Sequence, residues 1–202
     1  RQGALDSKCH LIPVENRKDL DQSKIDIIKK ILNTEKKTTS WEDSSMNVLI
    51  PMAGRGSRFE SQRYTFPKPL IEVKGKPMIQ VVVDNLKIKA KYTFIVQKEH
   101  YIKYNLKYLL NLIAPDCNIV QVDGITEGAA CTTLLAKEFI DNDQPLLMAN
   151  SDQFIEWDSS KTLYAFSNSD SEGGILTFPA SHPKWSYAKL DDKGYVIEVA
   201  EK

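Results

Sequence analysis

MNVLIPMAGRGSRFESQRYTFPKPL, running from Met46 to Leu70, joins a short apolar run, a glycine-rich basic loop and a lysine between two prolines. Asn47 to Pro51 has the composition of a buried strand and empties into Ala53-Gly54-Arg55-Gly56-Ser57-Arg58. Glycines there permit backbone paths that other residues resist, and they leave amide hydrogens unshielded. Successive amides turned inward form an anion nest, for which Ala53, Gly54, Gly56 and Ser57 are the candidates. Arg58 adds a planar donor fork suited to phosphate oxygens, and Lys68 a point charge on a stem flanked by Pro67 and Pro69. Arg55, Arg58, Arg63 and Lys68 fall within one stretch whose only acid is Glu60, so a polyphosphate is the expected ligand. The better-known phosphate loops do not fit: GxxxxGK[ST] is absent, and Phe59 stands where GxGxxG needs its third glycine.

The composition sets the bounds. A chain of 202 residues holds one good-sized domain and an appendage. Lys+Arg and Asp+Glu both number 27, and zero net charge argues against a nucleic-acid or anionic-membrane surface as the main partner. No apolar run approaches the ~18 residues of a membrane span. Cys9, Cys117 and Cys131 are an odd set without metal-binding spacing, which predicts neither a disulfide framework nor a zinc site and suits a reducing cytoplasm.

Arg1 to Ser45 reads as an N-terminal appendage: Ile25, Ile28, Ile31 and Leu32 predict one amphipathic helix over Asp21 to Asn33, and Thr34 to Ser45 a polar linker. The expectation is the tail of an upstream fused domain, or a helix that packs on the main domain or on a second copy. From Met46 short strands alternate with helices. Strands are predicted at Asn47–Pro51, Tyr92–Gln97, Cys117–Val122 and Pro145–Ala149, the last as a buried strand; helices are predicted after Pro77, over Tyr101–Leu112 and over Gly128–Ile140. That order predicts an α/β fold, a mostly parallel Rossmann-like sheet with helices on both faces and ligands beyond the carboxyl ends of its strands. After Asn150 the pattern becomes mixed, with a helix near Thr162–Phe166 and strands at Gly174–Pro179, Tyr187–Leu190 and Tyr195–Ala200, the last two joined by a turn at Asp191–Gly194.

Asp152 follows the apolar run Leu146-Leu147-Met148-Ala149 and is therefore expected at a strand's carboxyl end, facing the glycine loop. A hard carboxylate in that place suits Mg²⁺ when a triphosphate supplies the other oxygens. Taken alone, such an Asp commonly caps a turn. Glu127-Gly128-Ala129-Ala130 opens a helix whose small residues let a flat ring approach the backbone, or let helix and sheet pack closely.

Gly54-Arg55-Gly56-Ser57-Arg58 followed by Pro67-Lys68-Pro69-Leu70 resembles the paired signature of the sugar-phosphate nucleotidyltransferases, G-x-G-[ST]-R and P-K-[PQ]-L. The likeness covers Met46 to Lys202. It implies a glycosyltransferase-A-like nucleotidyltransferase fold and transfer of a nucleotide from an NTP to a phosphomonoester such as a sugar 1-phosphate, with release of pyrophosphate. It further implies Arg58 on the β- and γ-phosphates, Lys68 on the α-phosphate, Asp152 on Mg²⁺, Gln121 and Gly128 at the nucleobase, and Glu201 and Lys202 on the acceptor. Ser151 replaces the glycine of the family's usual G-D, and His182-Pro183-Lys184-Trp185-Ser186-Tyr187 replaces its usual Tyr/Phe-Gly, so Trp185 and Tyr187 are expected in an unusual acceptor pocket.

Glu127 to Thr132, Ser151 to Gln153 and His182 to Ser186 are similar to a bacterial branch tied to surface-polysaccharide modification. That branch includes CTP-dependent cytidylyltransferases for phosphoglutamine, which points to CTP or UTP over purine nucleotides and to a non-sugar phosphate as the alternative acceptor. A nucleotide-sugar-binding glycosyltransferase or regulator is the alternative of another class, although it would have little use for Lys68. The family completes its metal site with a second Asp beyond the E-K pair, so the expectation is a domain truncated at its C-terminus, with weak or no turnover by these residues alone.

Overall fold

The computed structural model describes residues 41–54 and 66–201; the helix expected over Asp21–Asn33 lies outside them. Strand β1 (Trp41–Pro51) lies inside a four-stranded sheet, with β4 (Ile88–Gln97) and β5 (Asn118–Val122) on one side and β6 (Leu146–Met148) on the other. The order is β5-β4-β1-β6, and every pairing is parallel. Parallel neighbours need long crossovers, and the helices supply them. A small antiparallel ribbon of β2 (Glu72–Val73) and β3 (Lys76–Pro77) precedes helix α1 (Met78–Leu86). The Lys74-Gly75 turn of that ribbon has φ of 51° and 81°, the left-handed pair that closes a two-residue hairpin.

Alternation along the strands divides the core between the two faces of the sheet. Val48, Ile50, Phe94 and Val96 face α1, through Ile79, Val82 and Leu86, and α3 (Leu106–Ile113), through Leu106 and Leu110. Leu49, Ile95, Ala53 and Val122 turn the other way, onto Ala136 and Ile140 beside α4 (Ala129–Leu134) and α5 (Lys137–Ile140). The expected α/β sheet covered by helices on both faces is the one observed.

Several boundaries differ from those predicted. β1 begins at Trp41, inside the stretch expected as linker: Trp41 and Glu42 pair with Ile88 and Lys89, and the register then shifts before Asn47. Asp43 bridges that irregularity, accepting hydrogen bonds from the Ser45 hydroxyl at 2.6 Å and the Ser45 amide at 2.9 Å, which hold its carboxyl below the usual range. Polar composition concealed a strand whose hydrogen bonds are made by backbone. Helix Tyr101–Leu112 is two helices, α2 (Lys98–Lys103) and α3, broken where Asn105 adopts φ 51°. Asn tolerates that conformation because its short polar side chain bonds locally. Gly128–Ile140 is likewise divided into α4 and α5 by Leu135-Ala136. Pro77 precedes α1 as its N-cap and pairs with Glu72 in the ribbon.

Two corrections concern burial. β6, expected as a buried strand, forms the open edge of the sheet, where Leu146 and Met148 are 41% and 54% exposed. Gly174–Pro179 forms no strand, and Ile175, Leu176 and Phe178 in it are exposed. Apolar composition registers a capacity for burial, whereas a strand also needs a neighbour to pair with. The C-terminal hairpin is as expected: β7 (Tyr187–Leu190) and β8 (Val196–Ala200) pair antiparallel around Asp191–Gly194, with Gly194 at φ 86°. No described helix is long and apolar enough to cross a membrane.

Phe94 is fully buried on the central pair of strands. Phe94→Ala should therefore destabilise the protein by about 3–5 kcal/mol in a urea titration, while an exposed change such as Tyr108→Ala stays within about 0.5 kcal/mol.

Candidate active site

Strand order changes direction at β1: the chain moves from β1 outward to β4 and β5, then returns to the opposite side of β1 as β6. In open parallel sheets this is where a crevice forms beyond the carboxyl ends. Two of the predicted stretches emerge here. Met52, Ala53 and Gly54 continue from β1, with the Met52 amide still bonded to the Ile95 carbonyl at 2.8 Å. Ala53 is buried and Gly54 exposed, so the chain reaches solvent at the glycine. From β6 the Ala149 amide makes a last bond to the Leu49 carbonyl at 3.0 Å, and the turn bearing Asp152 follows.

Lys68 opens a single 3-10 turn, Lys68–Leu70. Pro67 caps it in an extended conformation, Pro69 is buried in it, and the Leu70 amide returns to the Pro67 carbonyl at 2.8 Å. Two fixed φ angles and one buried ring thus set where the lysine stem leaves the backbone. Its ammonium meets the Asp152 carboxylate in an ion pair, with the lysine side chain 35% and the aspartate 24% exposed. Residues 84 positions apart in sequence thus meet at one point.

Gln97, at the carboxyl end of β4, was not singled out from sequence. Its side-chain amide donates to the Ala53 carbonyl at 2.5 Å and to the Gly124 carbonyl at 2.8 Å, tying the loop after β1 to the loop after β5. Gly54, Gln97, Val122, Asp123 and Gly124 border a cleft of about 450 Å³. The signal that marked Asp152, a polar residue directly after an apolar strand, marks Gln97 as well.

The remaining candidates are more dispersed. Gln121 lies on β5 and is exposed, and Gly128 is the N-cap of α4 in an extended conformation. Neither lines the cleft, whose β5 side is formed by Val122 and the residues after it. Trp185, Tyr187 and Glu201 belong to the C-terminal hairpin region, where Tyr187 donates to the His182 carbonyl at 2.8 Å, Ser186 donates to Glu201 at 2.9 Å, and Trp185 packs edge-on against Phe178. None of these three contacts involves Lys68 or Asp152. Gly56, Ser57, Arg58 and Lys202 lie outside the described residues.

The nucleotidyl transferase family model matches residues 47–202. The chain belongs to the nucleotidyl transferase family. A curated relative, the bifunctional protein GlmU of Methanocaldococcus jannaschii, is 24% identical over 160 residues, which are 78% of this chain and 36% of that protein. A solved nucleoside-diphosphate-sugar pyrophosphorylase from Vibrio cholerae is 25% identical with a TM-score of 0.58, covering 77% of this chain and 66% of that one. A putative glucose-1-phosphate thymidylyltransferase from Bacillus anthracis, crystallised with sucrose, shares the fold at 20% identity and a TM-score of 0.62, over 77% of this chain and 64% of that one. The chain therefore spans about a third of the length of the GlmU relative and about two thirds of the two solved structures.

Asp152 suits a magnesium ion of one particular kind. Among the described residues no three His, Cys, Asp or Glu side chains gather at one point. A half-buried carboxylate at a strand end fits an ion that takes most of its oxygens from a triphosphate and from water, as Mg²⁺ commonly does. Asp152→Asn should accordingly weaken Mg²⁺-dependent triphosphate binding at least about tenfold, with little change in melting temperature. Calorimetric titrations in Mg²⁺ and in EDTA would test this; equal affinities for the variant and the native chain in Mg²⁺ would remove Asp152 from the metal site.

Proposed function

We propose that this protein transfers a nucleotide from a nucleoside triphosphate to a phosphomonoester, a sugar 1-phosphate in the first instance, and releases pyrophosphate. The observation that carries the reading is the meeting of Lys68 and Asp152 beyond the ends of β1 and β6, beside the loop that begins at Gly54. Membership of the nucleotidyl transferase family supports it independently.

An acceptor phosphate is already an anionic nucleophile, so the reaction needs neither a covalent enzyme intermediate nor a general base. What the protein supplies is alignment and charge neutralisation where negative charge builds. Lys68 would leave Asp152 for the α-phosphate as the triphosphate enters. The backbone amides from Ala53 and Gly54 onward, with Gly56 and Ser57, would cradle the phosphates, and Arg58 would hold the departing pyrophosphate. Asp152 would bind Mg²⁺, which when present screens the triphosphate's charge against the approaching acceptor. Glu201 and Lys202 are assigned to the acceptor, with Trp185 and Tyr187 shaping its pocket, and Gln121 and Gly128 to the base. The replacement of the family's usual Tyr/Phe-Gly by Trp185-Ser186-Tyr187 favours a phosphorylated non-sugar, such as phosphoglutamine, as the second acceptor class.

A coupled pyrophosphate assay on the full-length protein, with CTP, UTP, dTTP, ATP and GTP against sugar 1-phosphates and phosphoglutamine, tests the reading. Release should appear with a pyrimidine triphosphate and one acceptor class, and silence across the whole panel would overturn the transferase assignment. Lys68→Ala should lower kcat about 10²- to 10³-fold, the scale of about 3–4 kcal/mol known for a lost transition-state donor, while the far-UV spectrum stays native. Turnover within about threefold of the native chain would exclude Lys68 from the α-phosphate role.

A further inference from the structure

The turn that carries Asp152 has no regular structure from residue 153 to residue 158, yet it places the carboxylate against Lys68. Its anchorage comes from α1. The Asn85 side chain closes a two-point bond on residue 155: its amide donates to the Ile155 carbonyl at 2.8 Å, and its carbonyl oxygen accepts from the Ile155 amide at 2.9 Å. The Trp157 indole then donates to the Asn85 backbone carbonyl at 3.2 Å, and its ring packs against the core. Two residues therefore pin the segment immediately after Asp152 to the last turn of one helix.

The first turn of that helix holds the lysine. The Met78 amide donates to the Ile71 carbonyl at 2.9 Å, directly behind the 3-10 turn of Lys68–Leu70, and the Ile71 amide reaches back to the Lys68 carbonyl at 3.3 Å. Leu70 packs on the same core as Ile79 and Val82. Both charges therefore stand on α1, one tied to Met78 and the other to Asn85. Seven residues of helix separate these ties, about 10 Å at 1.5 Å per residue.

We propose that Asn85 is a positioning residue: it fixes the Asp152 turn to α1, and α1 thereby sets the separation of the metal carboxylate from Lys68. The inference rests on the assignment of Asp152 to Mg²⁺ made above. An amide suits the task because it satisfies a backbone N–H and a backbone C=O together, as a strand neighbour would, without adding charge beside a triphosphate. Aspartate in its place could accept from Ile155 but could not donate, and alanine could do neither.

The test uses the full chain, Mn²⁺ as the spin probe, and whichever of CTP, UTP, ATP or GTP the native protein binds tightest. Free Mn²⁺ is read by its paramagnetic resonance signal in the presence of saturating nucleotide. Asn85→Ala should weaken Mn²⁺ about 10- to 100-fold, the usual cost of losing a group that orients a metal ligand. Asn85→Asp, which keeps one of the two bonds, should fall between Asn85→Ala and the native protein. Leu86→Ala provides the structural control: it empties buried space at the neighbouring position and should lower the melting temperature more than Asn85→Ala while leaving Mn²⁺ affinity within about twofold. Unchanged affinity in Asn85→Ala, or an equal loss in Leu86→Ala, would overturn the positioning role while leaving the transferase reading in place. A native protein that binds Mn²⁺ no better with any triphosphate than without would overturn the metal assignment itself, and the role of Asn85 with it.

Discussion

β1 is hydrogen-bonded on both edges and covered on both faces, and the site depends on that. Val48, Leu49 and Ile50 have no exposed surface, and their partners on both sides run parallel. From Asn47 to Pro51 the strand keeps one register with β4, and its alternating side chains fill the cores on both faces of the sheet. Because all pairings are parallel, the loops after β1, β4, β5 and β6 leave at one end of the sheet. The crevice is a consequence of that topology: Gly54, Gln97 and Gly124 line one cleft there, and the turn bearing Asp152 leaves from the same end of the sheet.

What holds those loops in place is mostly neutral. Gln97 links Ala53 to Gly124, and Asn85 grips Ile155. Each is an amide that satisfies backbone partners, and neither brings a net charge. A carboxylate at either of these positions would repel an incoming polyphosphate, and an ammonium would hold one whether or not it was aligned. The ion pair of Lys98 with Asp123 is exposed to water on the rim, where screening reduces its reach.

The sheet was legible in the sequence because its strands are compact apolar runs: Asn47–Pro51, Tyr92–Gln97 and Cys117–Val122 announce themselves without knowledge of their partners. Helix breaks at Asn105 and Ala136 were not, since neither residue is a glycine or a proline and the apolar spacing runs through both sites. The polar start of β1 at Trp41 was hidden for the opposite reason, as its stability comes from backbone pairing with β4. At the site, Lys68 and Asp152 could be singled out because each follows a recognisable punctuation, a pair of prolines and the end of an apolar run. Asn85 offered no such mark. An asparagine near the end of an amphipathic helix is ordinary surface chemistry until the segment it grips, 70 positions away, is seen beside it.

The Lys68–Asp152 pair also gives each of these two charges an opposite neighbour when no ligand is bound. Two half-buried opposite charges that face each other avoid the cost of standing alone in a partly dehydrated crevice. A metal-bound triphosphate brings both signs of charge. Under the proposed function, the cation takes the place of the ammonium on Asp152, and a phosphate oxygen takes the place of the carboxylate on Lys68. Each of these two charges would thus exchange one partner for another.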